Sequence, residues 1–530
     1  MDSDLESRNS GHRELPRRQV VITMAGVMLA LFFASLDQTI VGTALPRIIT
    51  DLGGFAHYTW VATAYIITST VTLLIAGKLS DMYGRKWFLV GGIAVFIVGS
   101  ILCGTSQTMN QLIGFRALQG VGAGAIMGMA FITVGDLFPA AERGKYVGFL
   151  SGVFGLSSVI GPTLGGFITD NFSWNWVFYI NIPFGILIMI LFIFFFPHIR
   201  PEIQKHRVDY GGIVTLILTV VPFMLALTWA GVEYEWLSFP IVFLFAFSAA
   251  MLLLFIIIES RAKEPILPLW IFRNRVVSVA SIVTFILGFG MFTGIIFIPL
   301  YFQGVLGSSA TASGSFLTPM MLGLVVGSIV SGQLLARAGG HYRIQGAVGI
   351  IFMAVGLFLL SRMTVDTSYA TAIMNIIIMG LGLGITMPVY VIAIQNAVPY
   401  SIMGVATSTN TFFRSIGGAV GLAIAGSVMN NRFADDFTGG LPLEISKVIP
   451  PEQLSSLAHN PQALVSPEAQ DQLRGFFESM GSQGVQLFEQ LLSTMREALN
   501  SALTEVFFVA FCAIAVAFII NLFLKEIPLR

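Results

Sequence analysis

Fourteen long apolar runs leave this chain few folds to choose from. They fall near 20–46, 57–77, 87–106, 110–136, 146–169, 176–197, 209–230, 236–258, 277–303, 310–336, 344–361, 368–395, 404–429 and 504–524. In hydrocarbon every backbone N–H and C=O must find a partner inside the chain, and a run of about 20 apolar residues does so as one helix across the bilayer. The runs therefore predict an all-α polytopic membrane protein with fourteen transmembrane helices and the lipid bilayer as its solvent. Only 11% of the residues are charged, where a soluble domain carries about 25%. Fifty-five glycines supply the small surfaces that let membrane helices approach closely. A net charge of zero offers no footprint for nucleic acid. The polar N-terminus is followed by an apolar run with no small-residue cleavage site, which reads as a retained helix and not a signal peptide. Cys103 and Cys512 both lie in apolar runs and read as packing residues.

Charge sets the expected orientation. Of the 28 Lys and Arg, six (Arg47, Arg362, Arg432, Lys447, Arg474 and Arg496) fall in one set of connections. Two, Arg116 and Arg414, sit inside apolar runs, and the remaining twenty share the other set with both tails. The basic side of a membrane protein is the cytoplasmic one, so both termini are expected in the cytoplasm of a cell-membrane protein. An internal repeat appears at a shift of 260 residues. Gly120, Gly122, Gly124, Met127, Pro139, Gly144, Gly161 and Gly166 recur as Gly380, Gly382, Gly384, Met387, Pro399, Gly404, Gly421 and Gly426. The stretch Gly77–Lys86 has an echo at Gly332–His341 that lacks the acid. Duplication predicts two six-helix halves around a midplane site. The expected layout is a tail at 1–19, a first half at 20–197 and a linker at 198–276 carrying inserted helices seven and eight. A second half at 277–429 and 504–524, a loop at 430–503 and a tail at 525–530 complete it. In the loop, Ser466-Pro467-Glu468 reads as a helix start. The apolar positions of 485–499 form a helical face leading into the last run. The loop is either a small helical cap or a guide for amphipathic substrates.

The chemistry lies in charges that the bilayer should not tolerate. Asp37 stands nine residues before Pro46, roughly 13 Å deep in the first run at about 1.5 Å per residue. A carboxylate at that depth costs roughly 2.5–3.5 kcal/mol on insertion scales, which makes it a functional candidate. Arg116, in the fourth run, lies at comparable depth, so the two can pair. A static structural pair, a proton carrier, and a carboxylate on which cationic substrate and proton compete all remain open. Arg414 either attracts an anionic group into a central cavity or is satisfied by nearby carbonyls. Between the second and third runs, Gly77 and Gly84 permit a tight turn. Asp81 can accept backbone N–H groups at a helix N-terminus, and Arg85 can pair with Asp136. That set is either a latch closing the two halves on the cytoplasmic side or a basic loop with a turn. No GxxxxGK[ST] loop is present, which argues against ATP-driven pumping by this chain. His57, His198 and His341 are isolated and imply no metal site, and no cofactor is expected.

Taken together, these stretches resemble the motifs of the major facilitator superfamily. Gly77–Lys86 follows its GxLxDxxGRK signature, and Arg116-Ala117-Leu118-Gln119-Gly120 follows RxxQG. Gly152, Gly155, Gly161, Pro162, Gly165 and Gly166 in the fifth run resemble the motif associated with antiporters. Leu36-Asp37-Gln38-Thr39-Ile40-Val41 with Ala44-Leu45-Pro46 is similar to the first-helix motif of drug:proton antiporters. With fourteen runs and Trp174-Asn175-Trp176…Asn181-Ile182-Pro183, the chain resembles the fourteen-helix multidrug branch. Members carrying acids in helices ten and thirteen handle divalent cationic drugs; here 310–336 and 404–429 hold no acid, and Arg414 stands in the latter.

The resemblance implies a monomeric, non-enzymatic, proton-coupled exporter of hydrophobic or amphipathic small molecules, working by alternating access. Asp37 and Arg116 would couple the proton, Arg414 and Gln119 would line the substrate cavity, and Gly77, Asp81, Gly84, Arg85 and Asp136 would form the cytoplasmic gate. The rival is a transporter of lipid or glycolipid-like molecules, favoured by the long loop and Arg414 and disfavoured by Asp37.

Overall fold

The computed structural model describes residues 16–528 except 53–57, 198–207, 232, 309, 338–340, 443, 446–448, 451–453, 455–456, 458–466 and 479–480. The tail at 1–15, the bases Arg200, Lys205 and Arg207 and the helix cap expected at Ser466 lie outside the described residues. Fourteen helices among them are long and apolar enough to cross a membrane. They are α1 (Arg17–Leu52), α2 (Tyr58–Tyr83), α3 (Arg85–Gly104), α4 (Met109–Leu137), α5 (Ala140–Asn171) and α6 (Asn181–Phe195, after one turn at Trp176–Tyr179). Next come α7 (Tyr210–Trp229), α8 (Phe239–Arg261), α9 (Arg275–Leu300), α10 (Ala310–Arg337) and α11 (Tyr342–Leu360). The last are α12 (Tyr369–Ala397), α13 (Met403–Gly440) and α14 (Ser482–Asn521). The repeat is realised as α1–α6 and α9–α14.

The duplicated glycines explain the packing of each half. A β-carbon on Gly120 or Gly124 would collide with the α2 backbone at Tyr65 and Ser69, and one on Gly122 with α3 at Phe96. At the shift of 260, Gly380 and Gly384 stand equally close to α10 at Met320 and Leu324, and Gly382 to α11 at Met353. Each half is thus built on a central helix, α4 or α12, whose small residues let two neighbours reach its backbone. The start of α1 and the end of α6 meet where Gln19 Nε2 donates to Phe195 O (3.0 Å). The ends of α12 and of the chain meet where Asn396 Nδ2 donates to Ile527 O (3.1 Å). The two termini therefore share one side of the bundle, called here the terminal side.

Two features add to the expected layout. The inserted helices α7 and α8 pack on each other, and α7 also touches α2 and α13, one helix from each half. The connection at 430–503 is largely helix. α13 runs on to Gly440, α14 begins at Ser482, and a short helix at Pro467–Glu478 packs against α14. Phe433 and Phe437 stack with ring centroids 5.7 Å apart, and with buried Phe477, Phe488 and Leu491 they extend the main apolar core. The apolar face of 485–499 continues in phase with the span, and no Gly or Pro breaks it, so the helix does not stop at the membrane edge. Arg432 joins Asp436 (3.0 Å) and Glu505 (3.1 Å), tying the two extensions together.

Candidate functional site

Three arrangements gather the polar groups of the bundle, one inside the first half and two between the halves. The first is built around Asp37, which is 0% exposed inside the first half. Its Oδ2 accepts from Arg116 Nη1 at 2.5 Å. Its Oδ1 accepts from Gln119 Nε2 and from Asn181 Nδ2, each at 2.8 Å. Arg116, 1% exposed, also donates from Nη1 to Gln119 Oε1 (2.6 Å) and from Nε to Val61 O (3.2 Å). Its guanidinium carbon lies 4.2 Å from the centre of the Tyr65 ring, close enough for a cation–π contact. The Tyr65 hydroxyl is fixed by donating to Ala34 O (2.9 Å). Ser100 accepts from Gln119 Nε2 at 2.8 Å. Helices α1, α2, α3, α4 and α6 all contribute. A carboxylate with three side-chain donors, one of them a cation, is sustained in a buried site where a lone charge would not be.

The depth argument thus locates the pair correctly, and one neighbour lies elsewhere than expected. Gln119 is 0% exposed and turned onto Asp37, so it does not line the cavity. It lies one helical turn beyond Arg116, on the same face of α4, and that face meets α1 and α3. Asn181 had no assigned role. Its signal was present as a single amide in an apolar run, a group that must find a partner in lipid.

The second arrangement closes the terminal side. Arg85, at the start of α3, pairs with Asp81 near the end of α2 and donates from Nε to Asp136 Oδ2 at 3.0 Å. Asp81 Oδ2 accepts from the backbone N–H of Val405 (2.8 Å) at the start of α13, so a carboxylate of one half sits on a helix N-terminus of the other. Asp136 Oδ1 accepts from the Tyr400 hydroxyl (2.9 Å), a second bond between halves and one that sequence reasoning missed. Gly84 carries φ 96°, which lets the chain turn sharply into α3. Gly77 belongs inside α2 and makes no turn; a β-carbon there would run into Ser408 of α13. On the opposite flank, α5 meets α10. Gly144 and Gly332 touch backbone to backbone, Gly148 approaches Ser328 O, and Gly155 packs on Met321 and Leu324. Further along α5, Gly161 and Gly165 take in Thr39 and Thr43 of α1. Gly152 has only ordinary contact with Val325, and Gly166 has nothing near it, so these two motif positions are not forced by packing. Pro162 lies within α5, which runs on past it.

The third is a cavity of about 350 Å³ between the halves. Its lining extends from Leu73 and Phe131 near the seal to Thr63, Gly231 and Asn430 toward the far ends of α2, α7 and α13. It is closed toward the termini and reaches toward the other side. Gln38, the residue after Asp37, lines it, as do Arg414 and three residues of α7, Met224, Leu227 and Thr228. Of the inserted pair, α7 therefore walls the cavity as well as bridging the halves. Apolar surfaces with a few polar groups are the usual make-up of a small-molecule site of this size.

Comparison with known proteins agrees with this fold. Residues 27–422 match the family model described as Major Facilitator Superfamily. The chain is 41% identical over 525 residues to the multidrug transporter protein MdtP of Bacillus subtilis (strain 168), covering 97% of this chain and 94% of that one. It is 42% identical over 418 residues to Multidrug resistance protein 3 of the same organism, covering 78% and 81%. Among solved structures, the proton:xylose symporter XylE superposes with a TM-score of 0.60 over 97% of both chains at 12% identity, which is a likeness of fold.

Proposed function

Because the chain belongs to the Major Facilitator Superfamily, we propose that it is a proton-coupled exporter of hydrophobic or amphipathic compounds, working by alternating access. It is a multi-pass membrane transporter and not an enzyme, and relatives named as a multidrug transporter and a multidrug resistance protein support drug efflux. The excess of Lys and Arg in the terminal-side connections supports a cytoplasmic terminal side in a cell membrane. The cavity then faces outward with its cytoplasmic end latched.

The observation that carries the proton reading is a fully hydrogen-bonded Asp37–Arg116 pair one residue away from the cavity wall at Gln38. Successive residues on a helix point about 100° apart, so Asp37 lies round α1 from the cavity wall and reaches the cavity edge when α1 turns through a large part of that angle. A proton taken up there cancels the charge that holds Arg116. Removing one partner of a buried pair costs about 3–5 kcal/mol, and that cost favours a rearrangement of α1 against α4. Release of the proton on the cytoplasmic side restores the pair.

The test uses inside-out vesicles and a panel of amphipathic dyes. Asp37→Asn keeps size and hydrogen-bonding capacity and removes the titrating group. Accumulation driven by a pH gradient is expected to disappear at equal protein level, while dye exchange without a gradient persists. Unchanged gradient-driven accumulation would place coupling on another group.

A further inference from the structure

Resting on the exporter reading, we infer that the central cavity is an organic-anion site: it takes compounds with a bulky apolar body and one acidic group, and Arg414 binds that group. Among the described residues, Arg414 is the one charged side chain lining the cavity. No hydrogen bond or ion pair joins its guanidinium to any described residue. The described buried carboxylates are committed elsewhere, Glu259 to the backbone N–H groups of Ile266 and Leu267. Asp37 is enclosed by Arg116, Gln119 and Asn181. Asp81 and Asp136 are held by Arg85 in the seal.

A cation within a membrane-spanning bundle is expected to face a partner or a cavity. Here it faces a cavity in which no described residue neutralises it, so an anionic guest supplies the missing charge and a cationic guest meets repulsion. A guanidinium also presents a planar fork of donors that matches a carboxylate.

The duplication shows where this departs from a plain apolar pocket. Met127 and Met387, partners at the shift of 260, both line the cavity. Phe154 and Arg414 are partners too, and both line it. The two halves thus contribute like residues at one pair of positions and an aromatic ring against a cation at the other. Methionine and phenylalanine accept apolar bodies of varied shape. Discrimination therefore falls on charge. A consequence for energetics follows: exchange of one proton inward for one monovalent anion outward moves two charges in the same sense, so an inside-negative potential drives export together with the pH gradient.

The experiment measures binding to the purified full-length protein in nanodiscs by energy transfer from tryptophan. Three probes of one shape are compared: pyrene-1-butyrate, its neutral amide, and pyrenebutylammonium. Wild type is expected to bind the carboxylate at least tenfold tighter than the amide and the ammonium weakest. Arg414→Gln is expected to make carboxylate and amide equal, and Arg414→Lys to keep most of the preference. Equal affinity for the three probes in wild type, tighter ammonium binding, no carboxylate binding, or a preference that survives in Arg414→Gln would each overturn the inference. The wild-type ranking needs no variant, so a variant that fails to fold leaves the test intact. No gradient enters the assay. A carboxylate preference without gradient-driven transport would sink the proton-coupled reading alone, and gradient-driven transport with no charge preference would sink this inference alone.

Discussion

The closed end of the bundle has two flanks built from corresponding helices, and they close by different means. Where α2 meets α13, Asp81, Arg85, Asp136 and Tyr400 form a buried chain of charges and hydrogen bonds between the halves. Where α5 meets α10, Gly144 and Gly332 bring two backbones into contact. Gly77 and Gly404 hold the matching places on the first flank, Gly77 facing Ser408 and Gly404 facing the Asp81–Arg85 pair. The duplicated frame is common to both, and the charge is not, because Asp81 and Arg85 correspond to Ala336 and Gly340 in the echo at Gly332–His341. One flank is closed by shape and is sensitive to any atom added. The other is closed by charge and is sensitive to any atom removed.

Arg85→Ala should break the charged flank with the largest effect. It leaves Asp81 and Asp136 buried without their cation, a loss of about 3–5 kcal/mol. A cysteine placed at buried Thr407, in a Cys512→Ser background, should then react quickly with a maleimide supplied from the terminal side. Labelling as slow as in the parent would mean that the charges do not hold the seam. Next, Gly332→Leu should pry open the other flank, at about 1–3 kcal/mol for an overpacked contact. A cysteine at Ser328, 0% exposed, reports it. If the Thr407 site opens as well, the two flanks move as one body; if it stays slow, they are separable. Tyr400→Phe removes one hydrogen bond to Asp136 and should have the smallest effect. The net cost is about 1 kcal/mol, a rise of roughly fivefold in labelling. A rise as large as that of Arg85→Ala would shift the weight of the latch onto the hydroxyl.

How far the site could be read in advance follows the same division. Asp37, Arg116, Arg85 and Asp136 were visible because a buried charge in lipid demands a partner, and few partners exist at each depth. Gln119 was assigned to the wrong surface. Spacing along α4 does not say which of its faces meets the cavity and which meets α1. Tyr400 carried no signal, since a tyrosine at a helix start is ordinary until Asp136 is known to lie beside it. The part played by α7 was hidden for a similar reason: Thr228 and Gly231 read as the end of an inserted span, and only its docking between α2 and α13 turns them toward the cavity.

The chain's apolar runs, its uneven distribution of Lys and Arg and its glycines repeating at 260 residues were enough to specify fourteen helices in two related halves. Those properties are local, because bilayer thickness and backbone hydrogen bonding act on each segment separately. Which charges are sealed and which is left bare was settled only when the halves came together. Asp37 and Arg414 look alike as isolated charges in apolar runs. Packing surrounds the first with three donors and leaves the second facing open space, and that contrast depends on contacts between residues far apart in the chain.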